Sequence, residues 1–243
     1  MVTTTAGRLG AGNAGGHRVM TFLTADLERR ALIAIARRLP SAIRPNHLTA
    51  VGVLGAVGAG VAYAATSLHP GWLFAACVAV GVNWFGDSLD GTLARVRKVE
   101  RPRYGYYLDH VVDAFNTVAV GLGLGLSPYV SAELALGLVI LYLALSINVY
   151  IETAVYGEFR MAYGHIGPTE FRILLVLGST MVFGLSRVLS VADLSAITNA
   201  LAVLAAVGAS ALLVWRFGVN LRYLARLEPS RRHPRSSGTS VVA

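Results

Sequence analysis

Apolar residues fall in six long runs separated by short polar breaks. The runs cover 48–66, 72–93, 106–126, 134–150, 173–189 and 194–217, each near the roughly 20 residues that a helix needs to cross the hydrocarbon of a bilayer. The breaks carry turn residues, among them His69-Pro70-Gly71, Ser127-Pro128 and Gly167-Pro168, because proline lacks an amide hydrogen and glycine bends freely. This pattern predicts an all-α integral membrane bundle of six transmembrane helices. Ahead of the first run, Leu23, Leu27, Ala31, Ile35 and Leu39 recur at helical spacing beside Arg29, Arg30, Arg37 and Arg38. That spacing suits an N-terminal amphipathic juxtamembrane helix lying on an anionic leaflet, or else an ordinary helix packed on the bundle. Residues 1–19 and 228–243 read as disordered tails, the second of them basic, around a membrane domain over 20–227.

Composition strengthens this picture. Of the 243 residues, 55% are hydrophobic and 14% charged, against roughly 25% charged in soluble domains. Lipid is therefore the expected solvent. The net charge of +8 does not point to nucleic acid, because the basic residues cluster between apolar runs and not along one groove-facing surface. With the N-terminus in the cytoplasm, the outside loops 67–71, 127–133 and 186–195 hold a single Lys or Arg, Arg187. The reverse arrangement would expose Arg95, Arg97, Lys98, Arg101 and Arg103, against the tendency of cytoplasmic loops to carry the positive charge. The expectation is a multi-pass protein of the cell membrane with both termini in the cytoplasm. Cys77, the lone cysteine, lies in an apolar run and reads as a small buried side chain.

The chemistry is concentrated in one segment. Asp87 and Asp90 stand three apart at the end of the second run, and Asp109 and Asp113 four apart at the start of the third. Helical periodicity puts both members of each pair on one face. The short connection makes the two helices antiparallel neighbours, so the pairs sit at the same depth and converge. Four carboxylates near hydrocarbon repel one another, and each costs about 2.5–3.5 kcal/mol at a helix centre, less toward the interface. Divalent cations offset such a cluster, and carboxylates are the hard oxygen ligands that Mg²⁺, Mn²⁺ or Ca²⁺ prefer. Mg²⁺ completes its shell with water and substrate phosphate, so the site predicts a phosphate-bearing ligand. Gly86, Gly91 and Gly105 leave room for a substrate or a neighbouring backbone, and Arg95 offers a planar fork to phosphate oxygens.

Asp87-x2-Asp90-Gly91-x2-Ala94-Arg95-x9-Gly105-x3-Asp109-x3-Asp113 resembles the signature of the CDP-alcohol phosphotransferases. The Arg95-to-Gly105 gap is slightly longer than usual there. Upstream, Pro45-Asn46-x2-Thr49 resembles the entry to that family's first span. The resemblance implies a transferase of phospholipid biosynthesis that moves a phosphoalcohol group from a CDP-linked donor to an alcohol or lipid acceptor and releases CMP. By the same resemblance, Asp87, Asp90 and Asp109 hold metal, and Asp113 completes a site of two Mg²⁺ or Mn²⁺ ions or serves as general base. Asn46, Thr49, Gly91, Ala94, Arg95 and Gly105 line the CDP pocket. Family members are often homodimers, a state on which this sequence is silent.

For the acceptor, Glu152-Thr153-Ala154-Val155-Tyr156-Gly157 and Gly167-Pro168-Thr169-Glu170 resemble segments of choline and ethanolamine phosphotransferases. The histidine of that subgroup near Val155 is missing, as is the basic motif of phosphatidylinositol-phosphate synthases, so the acceptor stays open. Glu152 and Glu170 suit either the active site or a solvated helix end, and Arg160 and Arg172 either a phosphorylated acceptor or a cytoplasmic anchor. His110 faces away from the aspartate stripe and reads as structural; His165 is a lesser candidate. A UbiA-type prenyltransferase also uses aspartates and Mg²⁺, but its first motif begins Asn-Asp where this chain has Gly86-Asp87, and it needs more spans. A divalent-cation transporter would hold its carboxylates near the midplane in repeated halves, and this motif has no second copy.

Overall fold

The computed structural model describes residues 25–156 and 168–228. The tail readings for 1–19 and 228–243 lie outside these residues, Glu228 excepted, as do Arg160, His165 and Gly167. Among the described residues there is no strand, and the helices are α1 (Ala25–Arg38), α2 (Pro45–Ala65), α3 (Trp72–Val96), α4 (Pro102–Gly125), α5 (Ala132–Tyr156), α6 (Pro168–Leu185) and α7 (Val191–Leu227).

Four of them, α2, α3, α5 and α7, are long and apolar enough to cross a membrane, as expected of a multi-pass membrane protein. The fourth and sixth helices begin with polar turns: α4 carries Arg103, Asp109 and Asp113, and the 18-residue α6 opens with Glu170 and Arg172. Hydropathy alone therefore places their starts too late. At the other end of the chain, α7 runs ten residues past the apolar stretch, because Arg222 and Arg226 continue the helix without continuing the hydrophobicity. Its 37 residues span about 55 Å at 1.5 Å per residue, well beyond the roughly 30 Å of hydrocarbon.

Contacts between helices give their directions. Gly52 meets Gly86 and Asp87 while Gly58 meets Ala79, so α2 and α3 are antiparallel. Asn46 reaches Tyr104 and Gly60 meets Ala119 and Gly123, so α4 runs parallel to α2. Arg172 reaches Asp87 while Cys77 meets Val176, so α6 opposes α3. Glu152 meets Arg216 as Ser131 meets Asn199, so α7 follows α5. Every candidate side chain described thus collects at one end of the bundle.

Small residues make the close contacts. A Cβ on Gly86 would strike the backbone of Gly52 and Leu48, and one on Gly123 the backbone of Gly60. Ala56, Ala59 and Ala76 are fully buried, whereas Leu54, Phe74, Leu204 and Val214 face outward. Large residues outside and small ones inside is the arrangement of helices packed in lipid, where close backbone approach replaces the hydrophobic drive of water. Tyr63 binds Ser179 at 2.9 Å in this core.

The α1 helix packs on the end that carries the aspartates. Leu32 and Ala36 are buried with Leu48, Leu89 and Leu93, and Glu28 accepts from the indole of Trp84 at 3.1 Å. The row expected to form the apolar face is offset: Ala31 and Ile35 are exposed, one position away from the buried pair, alongside Arg29, Arg30, Arg37 and Arg38. Of the two readings for this helix, packing on the bundle describes Leu32 and Ala36.

Candidate active site

The two aspartate pairs owe their proximity to how α3 stops. Lys98 takes a left-handed conformation (φ 57°). Val99 N–H donates to Ala94 O at 3.0 Å and Lys98 N–H to Arg95 O at 3.1 Å, which closes the last turn and turns the chain sharply. The Arg97 guanidinium pins this corner by donating to the carbonyls of Leu39, Pro40 and Ile43. Pro102 then opens α4, where its missing amide hydrogen costs nothing.

On α3, Asp90 accepts from the Thr49 hydroxyl at 2.6 Å and from its neighbour's amide, Gly91 N–H. Asp87, one turn earlier, accepts from Arg172 of α6 at 2.8 Å. The same guanidinium donates through Nε to Asn83 at 2.9 Å, and the Asn83 amide donates to Gly52 O at 2.9 Å. Asp87 and Asp109 act electrostatically on Asp90. Asp113 acts on Tyr142 and Tyr150, and Asp109 also on Tyr150. Asp87, Asp90 and Asp109 therefore lie near one another, and Asp113 follows Asp109 by one turn on α4, toward Tyr142 and Tyr150; each of the four is half-buried.

Among the described residues, no three carboxylate, imidazole or thiol groups are gathered as a ready metal cage. Like charges keep apart, and Asp87 and Asp90 are held by protein donors instead. The donor chemistry nonetheless fits a hard divalent cation: carboxylates from α3 and α4, which both pack on α2 and not chiefly on each other as the short connection suggested, with the Thr49 hydroxyl of α2 beside them.

The other candidates separate. Asn46 donates to the Tyr104 hydroxyl at 3.1 Å, joining the starts of α2 and α4. Arg95 is exposed and bonds Thr92 at 3.1 Å; a Cβ on Gly91 would lie 3.4 Å from its guanidinium. Gly105 opens onto free space, Ala94 is half-buried, and Gly86 is filled by the α2 backbone. Glu152 is buried on α5, accepting from Asn148 on its own helix and from Arg216 and Asn220 of α7. Glu170 is half-buried in the first turn of α6. His110 stacks on Tyr106 at 4.0 Å, meets Tyr150 edge-on at 4.5 Å, and lies 4.0 Å from the Asp109 carboxylate.

Asn83, Tyr104, Arg216 and Asn220 escaped the sequence reading. Asn83 is four residues before Asp87 on the same helical face, and Arg216 interrupts an apolar run. Both signals were present in the chain.

A family model described as CDP-alcohol phosphatidyltransferase matches residues 42–215. No curated protein matches the chain.

Proposed function

Because the chain belongs to the CDP-alcohol phosphatidyltransferase family, we propose that it moves a phosphoalcohol group, phosphatidyl or similar, from a CDP-alcohol to an acceptor hydroxyl and releases CMP. The observation that carries this reading is the collection of Asp87, Asp90, Asp109 and Asp113 at one end of the bundle, beside Thr49, Arg95 and Arg172.

Asn46, Thr49, Gly91, Ala94, Arg95 and Gly105 would hold the CDP moiety. Arg95 supplies a guanidinium for phosphate oxygens, and the open space at Gly105 admits the donor. Mg²⁺ or Mn²⁺, two ions in the full site, would be held by the four aspartates, and supplies positive charge against the transferring phosphate. The acceptor oxygen attacks the phosphorus that bears the alcohol group, and its bond to the CMP oxygen breaks. The acceptor proton passes to the Asp113 carboxylate. The site end is cytoplasmic in this reading, and α4 and α6 complete six spans. Ala31 and Ile35, turned away from the protein, rest with the arginines of α1 on the anionic leaflet.

The test uses sealed membrane vesicles of both orientations, a panel of CDP-alcohols and acceptors, and mass spectrometry of the products. Inverted vesicles release CMP to the medium with at least one donor, and EDTA abolishes it. Absence of CMP with every donor overturns the activity, and release only from right-side-out vesicles overturns the orientation.

A further inference from the structure

Arg172 does something that neither an acceptor-binding arginine nor a cytoplasmic anchor requires. It leaves the first turn of α6 and crosses to α3, where Nη2 lies 2.8 Å from Asp87 Oδ2 and Nε 2.9 Å from Asn83 Oδ1. Asn83 is itself buried and braced on the carbonyl of Gly52. Both charged side chains are largely removed from solvent, with 13% of Arg172 and 20% of Asp87 exposed. The guanidinium is thus fixed at two points and backed by a third helix. Asp90 contrasts with this, since the donors on its carboxylate are neutral, a hydroxyl and an amide.

A full positive charge locked on one of four carboxylates has a consequence for any divalent cation that approaches them. Two like charges a few ångströms apart in a partly desolvated site repel strongly. The carboxylate oxygen that Arg172 occupies is also an oxygen that a cation would use. Orientation works the other way, because the guanidinium holds Asp87 steady. The Coulomb effect is the larger, since a doubly charged ion doubles it while orientation is worth about one hydrogen bond.

We propose that Arg172 is the built-in counter-charge of Asp87 and competes with the divalent cation for it. The site then binds cation weakly alone and well only when the donor's diphosphate is present to take over the guanidinium's hydrogen bonds. Arg172 is a positioning residue acting through Asp87. The proposal rests on the assignment of Asp87 as a metal ligand.

The experiment titrates purified protein in lipid nanodiscs with Mn²⁺, first without nucleotide and then with CDP-alcohol, followed by electron paramagnetic resonance. Arg172→Gln binds Mn²⁺ at least about tenfold more tightly than wild type, on the electrostatic argument, while releasing CMP from the CDP-alcohol more slowly. Arg172→Lys keeps the charge and stays close to wild type in Mn²⁺ affinity. Asn83→Ala leaves the charge but removes the Nε partner, and shifts affinity the same way by less; it decides the matter if Arg172→Gln does not fold. Mn²⁺ binding by Arg172→Gln and Asn83→Ala equal to or weaker than that of wild type overturns the proposal alone. A wild type to which no Mn²⁺ binds even with CDP-alcohol present overturns the metal assignment, and this proposal with it.

Discussion

Two acidic regions share one end of this bundle and are built on opposite terms. Between α5 and α7, Glu152 is 7% exposed and meets a guanidinium and two carboxamides from Arg216, Asn220 and Asn148. Its charge is matched and its lone pairs are filled. Between α2, α3 and α4, four aspartates remain half-buried; Asp90 accepts from a hydroxyl and an amide, and Asp87 from a guanidinium. A buried carboxylate held by a guanidinium and two carboxamides fastens helices together, whereas several like charges gathered at one end of a bundle are a place for a ligand. On this difference Glu152 belongs to the frame, and the proposed chemistry belongs to the aspartates.

The sharpest way to break that distinction is Asp113→Asn. Removing the proton acceptor lowers turnover by about 10²–10⁴-fold, the usual contribution of a positioned base, while the folded protein still binds CDP-alcohol. Wild-type turnover in this variant would remove Asp113 from the mechanism. Arg216→Met tests the other region. Leaving Glu152 buried without its cation costs about 3–5 kcal/mol of stability, read as a fall in thermal midpoint, with CMP release per folded molecule largely kept. The double variant Glu152→Gln with Arg216→Met recovers much of the stability, because the orphaned charge is gone. A catalytic role for Glu152 would show instead as lost turnover at unchanged stability.

What was readable from the chain follows from how far apart the interacting residues lie. The aspartate spacing and the Pro45-Asn46-x2-Thr49 entry are local patterns, and helical periodicity alone puts their members on common faces. The all-helical architecture followed from the apolar runs. The Arg172–Asp87 pair joins residues 85 apart and the Arg216–Glu152 pair residues 64 apart. Such pairs depend on which helices become neighbours, and hydropathy does not encode that. Arg172 was accordingly open between acceptor and anchor, and Glu152 between site and solvent. Helix ends were misjudged for a related reason: α4, α6 and α7 extend through polar turns that are helical without being apolar. The glycines were legible as points of close approach, yet only packing distinguishes Gly86, filled by α2, from Gly105, which faces open space.

The smallest expected effect sharpens the comparison most finely, because it concerns a neutral donor in the acidic site. Thr49 Oγ1 donates to Asp90 at 2.6 Å and also lies 3.3 Å from the Pro45 carbonyl. Thr49→Val keeps the shape and removes the hydroxyl. A hydrogen bond to a charged group is worth about 1.5–3 kcal/mol when water is excluded. Asp90 is only half-buried, so solvent replaces much of the lost bond and the stability change stays near about 0.5–1 kcal/mol. Turnover falls by less than about tenfold on the same scale, and Thr49→Ser, which restores the hydroxyl, restores the rate. In the α5–α7 region the equivalent loss, Asn220→Leu, leaves Glu152 Oε1 with Asn148 as its one carboxamide donor, at a buried position where water does not replace the lost amide, and it costs more. If thermal midpoints instead show Thr49→Val to be the more damaging of the two, Asp90 is fastened as Glu152 is, and the division between a framework carboxylate and working ones fails at that residue.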